Sequence, residues 1–201
     1  PNELNVTRIL AIVKQTALAI QHVTGQNIVS GDISADNILL DERDQVKLSD
    51  FGGAAQIGQM VQAYNMHYSA PEIIYRGMST ETSDVYSLGV IIVQLITRQA
   101  TEELGEVPKN QLKGTAQGST GKKKKKEKGQ SSKADEVSHV SIQTEQAIRT
   151  QRYNIHPDIL RVNQEDGRTA RTLLELANTC MRFHANQRPR IQDVVRRLAD
   201  L

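Results

Sequence analysis

Residues 84–97, DVYSLGVIIVQLIT, are apolar on nearly every side of a helix: Val85, Leu88, Val90, Ile91, Ile92, Val93, Leu95 and Ile96 leave no wide polar face. Such a helix belongs in the middle of a helical lobe, covered by other elements. Candidates for that cover are present. Ile9, Val13 and Ile20, helped by Ile12, Ala17 and Leu18, recur near helical spacing from Val6 to His22, and the segment runs into Gly25. Leu173, Leu176, Ala177, Cys180 and Met181 fall at i, i+3, i+4, i+7 and i+8, and Ile191, Val194, Val195, Leu198 and Leu201 repeat the pattern. The expected fold is mainly α. Asp84 opens the central helix, where an acid can cap the first turn.

The strand signals lie between Ile28 and Gly52. Ile28-Val29 reads as a short strand. Ile38-Leu39-Leu40 and Val46-Lys47-Leu48, joined by a polar turn at Asp41 to Asp44, read as two strands doubling back, a small β-hairpin that returns Asp50 to Asn37. Asp32, Asn37 and Asp50 then sit on two turns joined by the hairpin, where they can grip a metal-bound phosphate. Asp32 can accept a proton from an attacking hydroxyl, and the Asn37 carbonyl oxygen, five residues on, can ligate Mg²⁺. Ordinary turn formation is the plainer role open to the same three residues.

Asp50-Phe51-Gly52, Ala70-Pro71-Glu72, Asp84-Val-Tyr-Ser-Leu-Gly89 and Arg188-Pro189 follow in order after the Asp32-x4-Asn37 loop. Together they resemble the catalytic loop, metal-binding loop and downstream half of a eukaryotic protein kinase domain. The resemblance implies Asp32 as catalytic base, Asn37 and Asp50 as Mg²⁺ and nucleotide ligands, and ATP and Mg²⁺ as cofactors. It implies structural roles for Phe51 and Gly52 in the metal loop, for Asp84 in holding the catalytic loop's backbone from beneath, and for Arg188 paired with Glu72. The stretch SDVYSLGVIIVQLIT is most similar to plant receptor-like kinases and their Pelle-type relatives. No Gly-x-Gly-x-x-Gly loop or Val-Ala-x-Lys strand precedes Ile28, so the expectation is a kinase-like C-terminal lobe whose N-terminal lobe is missing from this chain.

Within the loop the departures from the family pattern matter as much as the matches. Ser30-Gly31-Asp32 stands where His-Arg-Asp is usual. The family's Arg pairs with a phosphorylated activation loop, so Gly31 argues against switching by loop phosphorylation. Ser30 replaces a His that packs beside the Phe of the metal loop, which implies less support for Phe51. Ser34 replaces a Lys that meets the γ-phosphate in Ser/Thr-specific kinases, weakening charge stabilisation there. Tyr64-Asn65 replaces Gly-Thr, changing the threonine that braces the catalytic Asp, while Tyr68 matches. Between Gly52 and Ala70 only Tyr64, Tyr68 and Ser69 carry hydroxyls, so the activation segment offers little to phosphorylate.

Three function readings follow. The first is transfer of the γ-phosphate of ATP to a protein hydroxyl, Ser/Thr in preference to Tyr, with a protein substrate or signalling partner. The second is a pseudokinase, a scaffold or binding module without phosphotransfer, favoured by Ser30, Gly31, Ser34 and Asn65. The third is a small-molecule phosphotransferase of the aminoglycoside type, which shares a Gly-Asp-x4-Asn loop followed by an Asp. Ala70-Pro71-Glu72, Asp84 and Arg188 argue against the third.

At 201 residues, 38% of them apolar and 24% charged, the chain can bury one core but is shorter than a complete kinase domain. Its one cysteine, Cys180, excludes an intramolecular disulfide and suits a reducing compartment; on an apolar helix face it reads as a buried structural thiol. No apolar run approaches about 18 residues and no secretory leader is present. The expected location is cytoplasmic, or the cytoplasmic side of a membrane if the parent is a receptor. Residues 113–133 carry eight Lys and one Glu, +7 of the net +2, which leaves 17 basic against 22 acidic residues elsewhere. The basic character is local. Residues 99–137 are expected to be a disordered Lys-rich insertion between two parts of one lobe, 1–98 and 138–201. The Lys run could contact anionic surfaces. The Asn5-Val6-Thr7 sequon reads as chance, and Ala116-x4-Gly121-Lys122-Lys123 lacks the Ser/Thr and the preceding strand of a Walker A loop.

Overall fold

The apolar stretch forms a fifteen-residue helix, α3 (Ser83–Thr97), buried along its length except at Gln94 and Leu95. The computed structural model describes residues 4–101 and 153–201; the Lys run, and nearly all of residues 99–152, lie outside them. The other helices of the described residues, in chain order, are α1 (Val6–Gly25), α2 (Pro71–Arg76), α4 (Pro157–Val162), α5 (Gln164–Cys180) and α6 (Ile191–Ala199).

The helical shell packs on α3 as its apolar surface requires. α5 makes the most extensive contact, and α1 lies against both α3 and α6. Ile9, Ile12, Val13, Ala17 and Ile20 of α1 are buried, as are Leu173, Leu176, Ala177, Cys180 and Met181. Two expected core residues are exposed. Leu18 is 51% exposed, because nine residues at about 100° each place it opposite Ile9 on the helix. Leu201 lies beyond the end of α6 and is 37% exposed. The α3–α5 approach is closest at Gly89, where a Cβ would stand 2.5 Å from Met181 Cγ, 3.0 Å from Cys180 Cβ and 3.1 Å from the Ala177 carbonyl oxygen. Asn5 and Asn163 cap α1 and α5, accepting hydrogen bonds from the Arg8 amide at 2.9 Å and the Asp166 amide at 2.7 Å.

The hairpin forms as expected. β2 (Ile38–Leu40) and β3 (Val46–Leu48) pair antiparallel with Ile38 opposite Leu48 and Leu40 opposite Val46. Asp41 builds its turn, accepting from the Arg43 and Gln45 amides at 2.9 Å each. Those amides hold the Asp41 carboxyl below its ordinary range. The hairpin is fastened to α1 through Gln15, which accepts from the Val46 amide and donates to the Asp44 carbonyl. A second antiparallel ladder joins β1 (Ile28–Val29), read from the sequence as a short strand, to β4 (Ala55–Gln56), which was not read.

Either side of residues 102–152 the chain is tied to itself. Ile96 accepts from the His156 amide at 3.0 Å, and Arg98 meets Asp158 at 3.0 Å while donating to the Leu4 carbonyl.

Candidate active site

The loop after β1 hangs from the start of α3. Asp84 is buried and not the N-cap; Thr82 occupies that position without a side-chain cap bond. Its carboxylate instead accepts from the Ser30 amide at 2.8 Å (Oδ2) and from the Gly31 amide at 3.0 Å (Oδ1). The Asp84 carboxylate thus meets the loop's backbone from beneath. Burial pushes its carboxyl up to about 6, against the two amides that favour the charged form.

Asp32 is held at both oxygens. Oδ2 accepts from Asn37 Nδ2 at 3.1 Å, and Oδ1 accepts from the backbone amide of Asn65 at 3.0 Å. Asn37 Nδ2 also donates to the Asp32 carbonyl at 2.9 Å, which directs the amide's nitrogen inward and leaves its oxygen as the acceptor for another ligand. At the position where the threonine is changed to Asn65, Asp32 is held by main chain. Every residue carries that donor, so the change of side chain to Asn65 gave no signal of it.

The hairpin brings the metal loop back to this point. Ser49 donates through its amide (2.9 Å) and its hydroxyl (3.1 Å) to the Asn37 carbonyl, and Asp50 follows directly. Asp50 is exposed, has φ 54°, and accepts from the Gly52 amide at 3.2 Å in a tight turn. Phe51 is 44% exposed, and Ser30 is buried with no partner for its hydroxyl among the described residues. Ser34 is buried and places no charge at the loop's surface. Asn37 and Asp50 offer only hard oxygen donors, which suits Mg²⁺. Among the described residues no three His, Cys, Asp or Glu converge as a protein-only cage; Mg²⁺ typically takes one or two protein ligands and completes its shell with phosphate and water.

The activation segment ends at a buried ion pair. Arg188 Nη1 and Nη2 each donate at 2.8 Å to Oε1 and Oε2 of Glu72. Arg188 also donates to the carbonyls of Arg182, Phe183 and Thr82, and its guanidinium stacks 5.0 Å from the centre of the Tyr86 ring. Ser83 and Thr80 donate to the same Glu72 oxygen. Burial alone would raise the Glu72 carboxyl, but the Arg188 fork and Ser83 bring it below its ordinary value. Tyr68 and Ser69 are buried, and the Tyr68 hydroxyl donates to Gln94, so Tyr64 is the exposed hydroxyl of the segment.

A model of the protein kinase domain matches residues 3–198. The chain belongs to the protein kinase family. A probable LRR receptor-like serine/threonine-protein kinase of Arabidopsis thaliana, RKF3, is 40% identical over 108 residues, 48% of this chain and 17% of that protein. The kinase STE20 of Yarrowia lipolytica is 31% identical over 100 residues, 47% and 9% of the two chains. PrkC of Bacillus subtilis, also a serine/threonine-protein kinase, is 34% identical over 94 residues, 44% and 14%. The chain thus spans less than a fifth of these kinases' length. No described helix is long and apolar enough to cross a membrane.

Proposed function

We propose that this chain is the C-terminal lobe of a protein kinase that transfers the γ-phosphate of ATP to a serine or threonine hydroxyl of a protein. What supports this most is the double hold on Asp32, from Asn37 on one oxygen and the Asn65 amide on the other, in a loop suspended from Asp84. So held, Asp32 takes the proton of the attacking hydroxyl, while Asn37 and Asp50 are the metal ligands. ATP would supply the phosphoryl group, and Mg²⁺ would neutralise charge on its oxygens. The N-terminal lobe, with the phosphate-gripping Lys, is expected from the rest of the parent, and the location from the cytoplasm or the cytoplasmic face of a membrane. Residues 1–98 and 138–201 form two parts of one lobe in this reading, with 99–137 as an insertion; the ties of Ile96 to His156 and Arg98 to Asp158 support that division.

The exposed Phe51 and the buried, uncharged Ser34 favour a second reading, a pseudokinase. Asp32→Asn in the two-lobed parent separates the two. Under the first reading turnover falls by about 10²–10⁴ with nucleotide affinity kept, whereas Asp50→Asn weakens Mg²⁺-dependent nucleotide binding. A wild-type parent that binds nucleotide or a protein partner but never transfers phosphate establishes the second reading; turnover indifferent to Asp32→Asn refutes the assignment of the base.

A further inference from the structure

The place beside Asp32 where a side chain would stand is filled from another part of the chain. Gly31 has φ +75°, and a Cβ built on it would lie 2.7 Å from Cγ1 and 3.3 Å from Cγ2 of Val61, which is 4% exposed. A second glycine repeats the arrangement: a Cβ on Gly53 would lie 2.4 Å from the Ala63 carbonyl oxygen. Two bare backbone positions thus receive residues 61 and 63 of the activation segment at distances no side chain would permit. From its other side the stretch is fastened by the Val61 amide, which donates to the Gly77 carbonyl at 2.8 Å. Two residues beyond Ala63, the Asn65 amide reaches Asp32. Since the Gly31 amide is itself bound to Asp84, the contacts run without a gap from α3 through Gly31 and Val61 to Asn65 and Asp32.

Building on the kinase reading above, we infer that Val61 is a positioning residue: its isopropyl group, seated on Gly31 while Ala63 lies against Gly53, sets the activation segment in the register that delivers the Asn65 amide to Asp32. An apolar seat of this kind is permanent. It depends on close packing at two glycines, and it needs no charge added to the segment to draw it down. Gly31 and Val61 act as one unit, because either a side chain at 31 or a smaller one at 61 disturbs the same contact.

Amide exchange measured by NMR on the chain 1–201 tests this. The Asn65 amide proton, bonded to a carboxylate, is assigned through its shift in Asp32→Ala. In Val61→Ala, which removes two buried methyl groups, its exchange should quicken on the order of tenfold while the α3 amides from Val85 to Ile96 keep their rates. Gly31→Ala should quicken it too, and the pair Gly31→Ala with Val61→Ala should lie closer to wild type than Gly31→Ala alone, because the smaller residue 61 makes room. An Asn65 amide unchanged in Val61→Ala, or one that quickens only in step with α3, overturns the inference. The readout needs no phosphotransfer, so a parent without turnover would remove the kinase reading and leave the seat still decided by exchange. In an active two-lobed parent Val61→Ala should lower kcat with KM for ATP unchanged; a raised KM with kcat intact would refute the positioning role.

Discussion

Glu72→Gln keeps the shape of the buried pair and removes one of its charges. Arg188 is 0% exposed at its side chain and Glu72 only 13%, so bulk water does little to compensate. The new amide would also turn a donor toward one Nη of the fork, so one of two 2.8 Å bonds becomes a donor–donor contact. Leaving one ion of a buried pair unmatched costs about 3–5 kcal/mol. The lower end applies here, because Arg188 keeps three main-chain carbonyls and the face of Tyr86. A loss of about 3 kcal/mol is a large part of the 5–15 kcal/mol that typically holds a domain together. Urea denaturation at pH 7 reads it directly, as a lower midpoint at constant slope. Arg188→Met in the Glu72→Gln background should then cost less than the sum of the two single changes. A Glu72→Gln loss below about 1 kcal/mol, or strictly additive losses, would refute the view that charge pairing holds the end of the activation segment.

Gly89→Ala should destabilise by about 1–3 kcal/mol, because Met181 can yield but the Ala177 carbonyl, 3.1 Å away, is main chain; an unchanged melting temperature would show that α3 and α5 separate freely. Asp84 and Glu72 should act on the pH profile with opposite signs. The raised Asp84 carboxyl contributes stability below its unfolded value of 3.8 that is lost as pH rises through about 6, so wild type should fall relative to Asp84→Asn between those limits. The depressed Glu72 carboxyl contributes above its unfolded value of 4.5 and loses that contribution as pH falls through its folded value, so Glu72→Gln should flatten the acid limb in urea midpoints measured against pH. Cys180, whose thiol burial pushes up to about 12, should resist a thiol-specific disulfide reagent at pH 8 until the protein unfolds.

Helices α1, α5 and α6 were legible because burial imposes a period on the sequence, and α3 because it has none, whereas α2 and α4, six residues each, are too short for a period to show. A helix apolar all round can only be central. The exceptions have the same origin: Leu18 and Leu201 are apolar, but one lies on the far side of α1 and the other past the end of α6, and composition alone does not separate them from the core. The hairpin could be read from its own residues, and the Glu72–Arg188 contact was implied by the resemblance that the ordered motifs carry. What could not be read depends on main chain. The strand that pairs with β1, Ala55–Gln56, has two residues, too few for alternation to show. The brace on Asp32 is a peptide amide, and Gly31 announces only that a side chain is lacking, not that Val61 takes its place.

The ties at the end of α3 bear on how this domain can change over time. Because Ile96 grips the His156 amide and Arg98 grips Asp158, the two described stretches of the chain meet at one spot. Whatever length of polypeptide joins those two points, its ends are already together, and doubling that length adds only about 0.6 kcal/mol of closure entropy. The spot is therefore a port. Changing the length of sequence there should leave the helices and the loop that carries Asp32 little affected, which urea midpoints of length variants would check, and it makes the spot a natural place to graft a reporter or a tethered ligand onto this kinase domain.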